Sequence, residues 1–154
     1  MNESPDIGQS VTKPSLNVTV SDIASDISLC VLLDDIDLLT APLLREKLAQ
    51  AIGVTPRHLV MDLSKVQFLA SIGLRLLIDL GATQQATGHQ LVLVVGNNRA
   101  VTRPLQITGL DQYFDLHVEL TTAINACHAA KIDREPSMDL IEVYETSMKD
   151  TRKK

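Results

Sequence analysis

Two short aliphatic runs, His58–Leu63 and Leu91–Val95, constrain the fold more than any other part of the sequence. Neither alternates between apolar and polar residues, so both read as strands covered on both faces, the pattern of parallel strands flanked by helices. The segments around them supply those helices. From Leu38 to Ile52 apolar residues recur at helical spacing, with Leu44, Leu48, Ala51 and Ile52 on one stripe and Arg45, Glu46, Lys47 and Gln50 elsewhere. Thr40 or Asp37 can cap its start, Pro42 fits an early-turn position where a missing N–H costs nothing, and Gly53 stops it. Ile72–Thr87 carries Leu74, Leu77, Ile78 and Ala82 at the same spacing and closes at Gly88.

The remaining elements complete an alternating order. Leu16, Val18 and Val20 alternate with polar residues, and after a turn at Ser21–Asp26 the run Ile27–Leu33 reads as a second strand of a hairpin. Asn97–Ile107 reads as a short helix despite Pro104, Tyr113–Val118 as an edge strand, and Leu120–Ala130 as a final helix. The expected fold is therefore α/β: a mixed sheet of four to five strands, with right-handed crossovers placing the helices chiefly on one face.

At 154 residues the chain suits one domain, burying about two thirds of the surface it exposes when unfolded. Residues 1–14 are polar and expected to form a flexible arm, residues 15–130 the folded domain, and residues 131–154 a charged tail. Within that tail Leu140, Val143 and Tyr144 share one face of a short helical pattern, weak without tertiary contacts.

Composition narrows the function. Apolar residues make up 45% but aromatics only 3%, so the core is aliphatic. The formal charge of −5, with no concentrated basic face, argues against direct nucleic-acid binding. No apolar run approaches the roughly 20 residues of a membrane span, and no signal-peptide pattern opens the chain, so a cytoplasmic location without membrane insertion is expected. Cys30 and Cys127 sit in apolar stretches and read as buried, reduced thiols. They do not cluster with His58, His89, His117 or His128 at ligand spacing, so neither a metal nor a cofactor is expected. Asp34, Asp35 and Asp37 lack the nucleophile, phosphate loop or histidine that would make them catalytic, and they read as a solvated acidic turn on a non-enzyme.

The most informative stretch is Met61 to Leu74, where a strand ends, a short loop follows and a helix opens at Ser71, read as its N-cap. Asp62-Leu63-Ser64, Val66, Phe68, Ser71 and Gly73 resemble the signature of the sulfate transporter and anti-sigma antagonist (STAS) family, in which a strand ending in Asp-Leu-Ser leads to an Asp-Ser-x-Gly turn at a helix start. Asp34-Asp35-Ile36-Asp37 followed by Thr40-Ala41 is similar to the family's second stretch, a Gly-Glu-Leu-Asp turn followed by Thr-Ala. Together these segments and the order of elements span residues 15–128. Ala70 stands where the family usually has Asp, Asp34 where it usually has Gly, and Ile72 is bulkier than the common Ser or Thr.

The resemblance implies a STAS-like fold and a non-enzymatic role as an anti-sigma factor antagonist. On that reading the partner is an anti-sigma factor with kinase activity of the GHKL type, its capture frees a sigma factor, and phosphorylation of Ser71 ends the capture. The implied partner-binding residues are Asp35, Asp37, Thr40, Ala70, Ser71, Ile72, Gly73 and Leu74. The alternatives are a STAS scaffold of a stress-signalling complex or a subunit of a transporter, and a homodimer is left open.

Overall fold

The computed structural model describes residues 16–52 and 55–134. The arm at residues 1–14, the helix stop assigned to Gly53 and the tail pattern at Leu140, Val143 and Tyr144 lie outside the described residues. In chain order the elements are β1 (Val18–Ala24), β2 (Ile27–Leu32), α1 (Thr40–Ile52), β3 (His58–Asp62), α2 (Ser71–Ala86), β4 (Leu91–Val94), α3 (Arg99–Ile107), a 3₁₀ turn (Leu110–Gln112), β5 (Asp115–His117) and α4 (Leu120–Arg134).

The five strands lie in sequence order across one sheet, β1 antiparallel to β2 and every later pair parallel. Each helix from α1 to α3 therefore joins adjacent parallel strands while the sheet advances in one direction. Crossovers of one hand repeated in one direction fall on one face, and α1, α2 and α3 share a core with Cys30, Leu32, Leu59, Met61, Leu91 and Leu93. After β5 no further strand follows, so α4 is free to cover the other face, where Ala123 and Cys127 pack on Ile27, Val60, Val92 and Val94. The STAS-like mixed sheet with helices chiefly on one face is what the structure contains. β4, buried at all four positions, sits between the two layers. At roughly 1.5–3 kcal/mol for each fully buried large aliphatic side chain, these two clusters are the main source of stability.

Several boundaries differ from the sequence reading. β1 runs to Ala24, not to a turn from Ser21, because the pairing with β2 continues through a register slip at Ile23. β5 holds only Asp115–His117: Tyr113 is taken by the 3₁₀ turn, its N–H bonding Leu110 O. α4 runs past Ala130 to Arg134. Cys30 and Cys127 are both free and buried, on opposite faces of the sheet. Burial, with a smaller contribution from Asp62, pushes the Cys30 thiol up to about 12. Burial, with Asp115 and Asp26, pushes Cys127 up to about 11. Both stay as unreactive thiols at neutral pH.

Candidate functional site

At the C-terminal ends of β2 and β3, two loops face each other, and the residues the sequence marks for function lie on them and on the first turns of the helices that follow. The first, after β2, carries Asp34 to Leu39. Asp37 Oδ1 accepts from the N–H groups of Leu39 (2.9 Å) and Thr40 (3.0 Å), and Asp37 O accepts the first helical N–H, that of Ala41. Thr40 Oγ1 accepts in return from Asp37 N–H (2.9 Å) and donates to Asp35 O (2.6 Å). This is a reciprocal cap in which threonine takes the place of the usual glutamate. The backbone N–H of Thr40 leads the interactions that hold the Asp37 carboxyl below the usual aspartate range. Asp37 is thus engaged by its own helix, while Asp34 accepts from Asn17 N–H.

The second loop, after β3, is held from both ends. Asp62 Oδ1 accepts from Ser64 N–H (3.0 Å) and Ser64 Oγ–H (2.6 Å), which turns the chain as soon as the strand ends. Asn98, which caps α3 through Ala100 N–H, donates its side-chain amide to Leu63 O (3.1 Å) and Val66 O. That explains why Asp-Leu-Ser and Val66 belong to one pattern: they build the loop that aims the next helix.

The two loops are laced together. Ile36 and Leu69 form a parallel bridge, Ile36 N–H donating to Phe68 O (2.9 Å) and Ala70 N–H to Ile36 O (2.8 Å). This bridge holds Ala70 extended, at φ −80° and ψ 167°, so α2 is capped by Ala70 and not by Ser71. The expected cap is corrected: Ser71 is the first helical residue, and no side chain closes the turn it opens. Ser71 is exposed, and its hydroxyl has no hydrogen-bond partner among the described residues.

Other residues assigned to the site divide into outward and inward sets. Ser71 and Ile72 face solvent, and Asp35, Asp37, Thr40 and Ala70 are half-buried. Gly73 and Leu74 are buried. A Cβ on Gly73 would lie 2.6 Å from both Ile36 Cγ2 and Leu69 Cδ1, so glycine is the residue that lets α2 approach the bridge. Leu74 belongs to the core. The sequence reading missed a different group, Leu38, Leu39 and Phe68, exposed at 71%, 64% and 53%, which with Ile72 at 38% present large apolar side chains on the two bridged loops and the first turn of α2. One signal was available: Leu38 and Leu39 precede the buried stripe of α1, which starts at Ala41 and Leu44.

Comparison with known proteins decides the family. The model of the STAS domain matches residues 22–123. This chain belongs to the STAS domain family. It is 35% identical over 121 residues to the anti-sigma-F factor antagonist RsfB of Mycobacterium tuberculosis, covering 78% of this STAS chain and 96% of that protein. The crystal structure of an anti-sigma factor antagonist from Mycobacterium paratuberculosis is similar at 33% identity and a TM-score of 0.63, over 74% of this chain and 95% of the other. The anti-sigma factor antagonist SpoIIAA in its unphosphorylated form shares the fold at 17% identity and a TM-score of 0.61, over 73% of this chain and 97% of its own. Among the described residues of this STAS domain, no helix is long and apolar enough to cross a membrane.

Proposed function

We propose that the chain is an anti-sigma factor antagonist that captures an anti-sigma factor with kinase activity, frees a sigma factor, and is switched off by phosphorylation of Ser71. The observation that carries this reading is the exposed Ser71 at the open start of α2, without a hydrogen-bond partner among the described residues, with exposed Leu38, Leu39, Phe68 and Ile72 on the bridged loops and the same first turn. The relatives named as anti-sigma factor antagonists support it. The role is regulatory, by protein–protein contact in the cytoplasm, and not enzymatic.

The chemistry of the switch is simple. The γ-phosphoryl group of ATP passes to Ser71 Oγ, the hydroxyl proton is lost to the kinase and ADP leaves. The phosphate adds about −1.5 to −2 charges at the first turn of α2, where free N–H groups favour an anion, so the fold tolerates it. A partner covering Leu38, Leu39, Phe68 and Ile72 would instead have to desolvate that charge beside Asp35 and Asp37. Complementarity lost at the centre of an interface shows mainly in dissociation rate.

The test is affinity capture on wild type and Ser71→Glu, with partners identified by mass spectrometry. An anti-sigma kinase is expected on wild type and depleted on Ser71→Glu. Incubation with that kinase and ATP is expected to add one phosphate to wild type, by intact mass, and none to Ser71→Ala. Capture of a membrane transporter in its place, or no phosphate gained, would sink the reading.

A further inference from the structure

Beside Ser71 the first turns of α1 and α2 part to leave an open cleft of about 330 Å³, with Ala41, Pro42, Ile72 and Leu76 as its apolar floor and Arg45 and Arg75 on its rim. The two arginines differ. Arg45 reaches across from α1 to Asp79, 3.1 Å away, and so occupies the carboxylate that stands four residues after Arg75 on α2. Arg75 is exposed and has no ion-pair partner among the described residues. Glu46, the remaining charged group lining the cleft, belongs to α1.

Helical side chains lean toward the helix N-terminus, and residues four apart share a face, so the Arg75 side chain lies over the turn that Ser71 opens. Among the described residues, an unpaired guanidinium lining the cleft and an unpartnered hydroxyl therefore stand one turn apart on α2. That arrangement fits an incoming helix whose apolar face carries a carboxylate: the floor takes the apolar side chains and Arg75 takes the charge.

We propose that Arg75 is the receiver of the Ser71 switch: with Ser71 unmodified it holds a carboxylate of a partner helix laid in the α1–α2 cleft, and after phosphorylation it is held by the phosphate. The proposal rests on the reading of Ser71 given above. A phosphate one turn away is tethered to the same helix and offers arginine bidentate contact with nearly twice the charge of a carboxylate, so it displaces a carboxylate brought by another chain. Modification then acts in two ways, adding negative charge among the apolar residues and removing the cation from the cleft.

Two experiments test this. In protein carrying phosphoserine at position 71, titration followed by ³¹P NMR is expected to show a second phosphate pKa lower by about half a unit than in the Arg75→Gln variant. Arg75→Lys is expected to retain most of that shift. Equal values in wild type and Arg75→Gln, or Arg75→Lys behaving like Arg75→Gln, would overturn the pairing. This readout needs no partner, and the substitutions are at an exposed position.

The second experiment is calorimetry against the captured anti-sigma kinase. Arg75→Gln alone is expected to weaken binding several-fold. Ser71→Glu is expected to weaken binding several-fold on the wild-type background and by a clearly smaller factor on the Arg75→Gln background, where the added charge still acts but no cation is left to capture. The same factor on both backgrounds overturns the role of Arg75 and leaves the Ser71 switch standing. No weakening by Ser71→Glu on the wild-type background sinks the switch itself, and the phosphate titration still decides whether Arg75 pairs.

Discussion

The two ends of α2 are built on opposite principles. At its C-terminal end almost every polar group is satisfied within the protein. Thr87 N–H and Oγ–H bond Gln84 O, Gly88 N–H bonds Gln85 O with Gly88 in the left-handed region at φ 76°, and His89 N–H returns to Gln84 O. The buried Gln84 amide donates to Arg57 O and Gln90 O, and His58 Nδ1 accepts from Gln90 N–H. At its N-terminal end the first turn has no side-chain cap, the Ser71 hydroxyl has no partner among the described residues, and large apolar side chains stand exposed. The closed end anchors the helix to the sheet, and the open end is where the proposed kinase or partner would find groups that the described residues leave unengaged.

Breaking the closed end is expected to have the largest effect. Gln84→Ala takes from the half-buried Arg57 O the donor it has among the described residues, while Gln90 O keeps Leu59 N–H, and a loss of about 1–3 kcal/mol is expected in urea denaturation, since an unmet acceptor that is shielded from water costs its desolvation. An unchanged midpoint would show that the two ends are less different than the hydrogen bonds indicate.

Gly73→Ala tests the bridge that aims the open end. The new methyl must displace Ile36 and Leu69, and overpacking of this kind costs about 1–3 kcal/mol. Because the displaced residues carry the lacing of the two loops, weaker capture of the anti-sigma kinase is expected along with the lower midpoint.

Asp37 gives the comparison a pH dependence. Its carboxyl is held below the ordinary aspartate value of 3.8 in the folded state, so it binds protons more readily when unfolded. The stability it contributes is present above that value and is lost as pH falls through the lowered folded one. Asp37→Ala, which also removes the cap, is expected to cost about 0.5–2 kcal/mol at neutral pH. Thermal melts at pH 7 and at pH 2.5 should show the gap between variant and wild type narrowing at the acid end; a constant gap would assign the effect to something other than the charge.

Ser71→Ala is expected to have the smallest effect, within about 0.5 kcal/mol in stability, because an exposed hydroxyl without a hydrogen bond supports nothing. A larger loss would mean that Ser71 caps the helix after all and that the open end is closed.

Much of this was legible in the residues. The aliphatic runs announced strands with two covered faces, Asp37 and Pro42 marked the start of α1, and the Asp62-to-Gly73 pattern pointed to the site. The cap of α2 was misread because Ser71 is the better capping residue by type, whereas the position of a cap depends on backbone angles. Here those angles are imposed on Ala70 by a bridge to a residue 34 positions earlier in the chain. Gly73 and Leu74 were named with Ser71 and Ile72 as partner-binding residues, and the structure buries both, because neighbours in a helix point to different sides of it.

Sequence alone determined the number and order of elements and the family, since periodicity, caps and motif residues are local and survive any packing. Tertiary structure decided which loops meet, that α4 takes the opposite face, that Asp37 is spent on its own helix, that Leu38, Leu39 and Phe68 stay exposed, and that Ser71 and Arg75 find no partner among the described residues. The physical reason is that exposure and pairing depend on what the rest of the chain leaves uncovered: Asp79 is denied to Arg75 by Arg45, a residue of another helix.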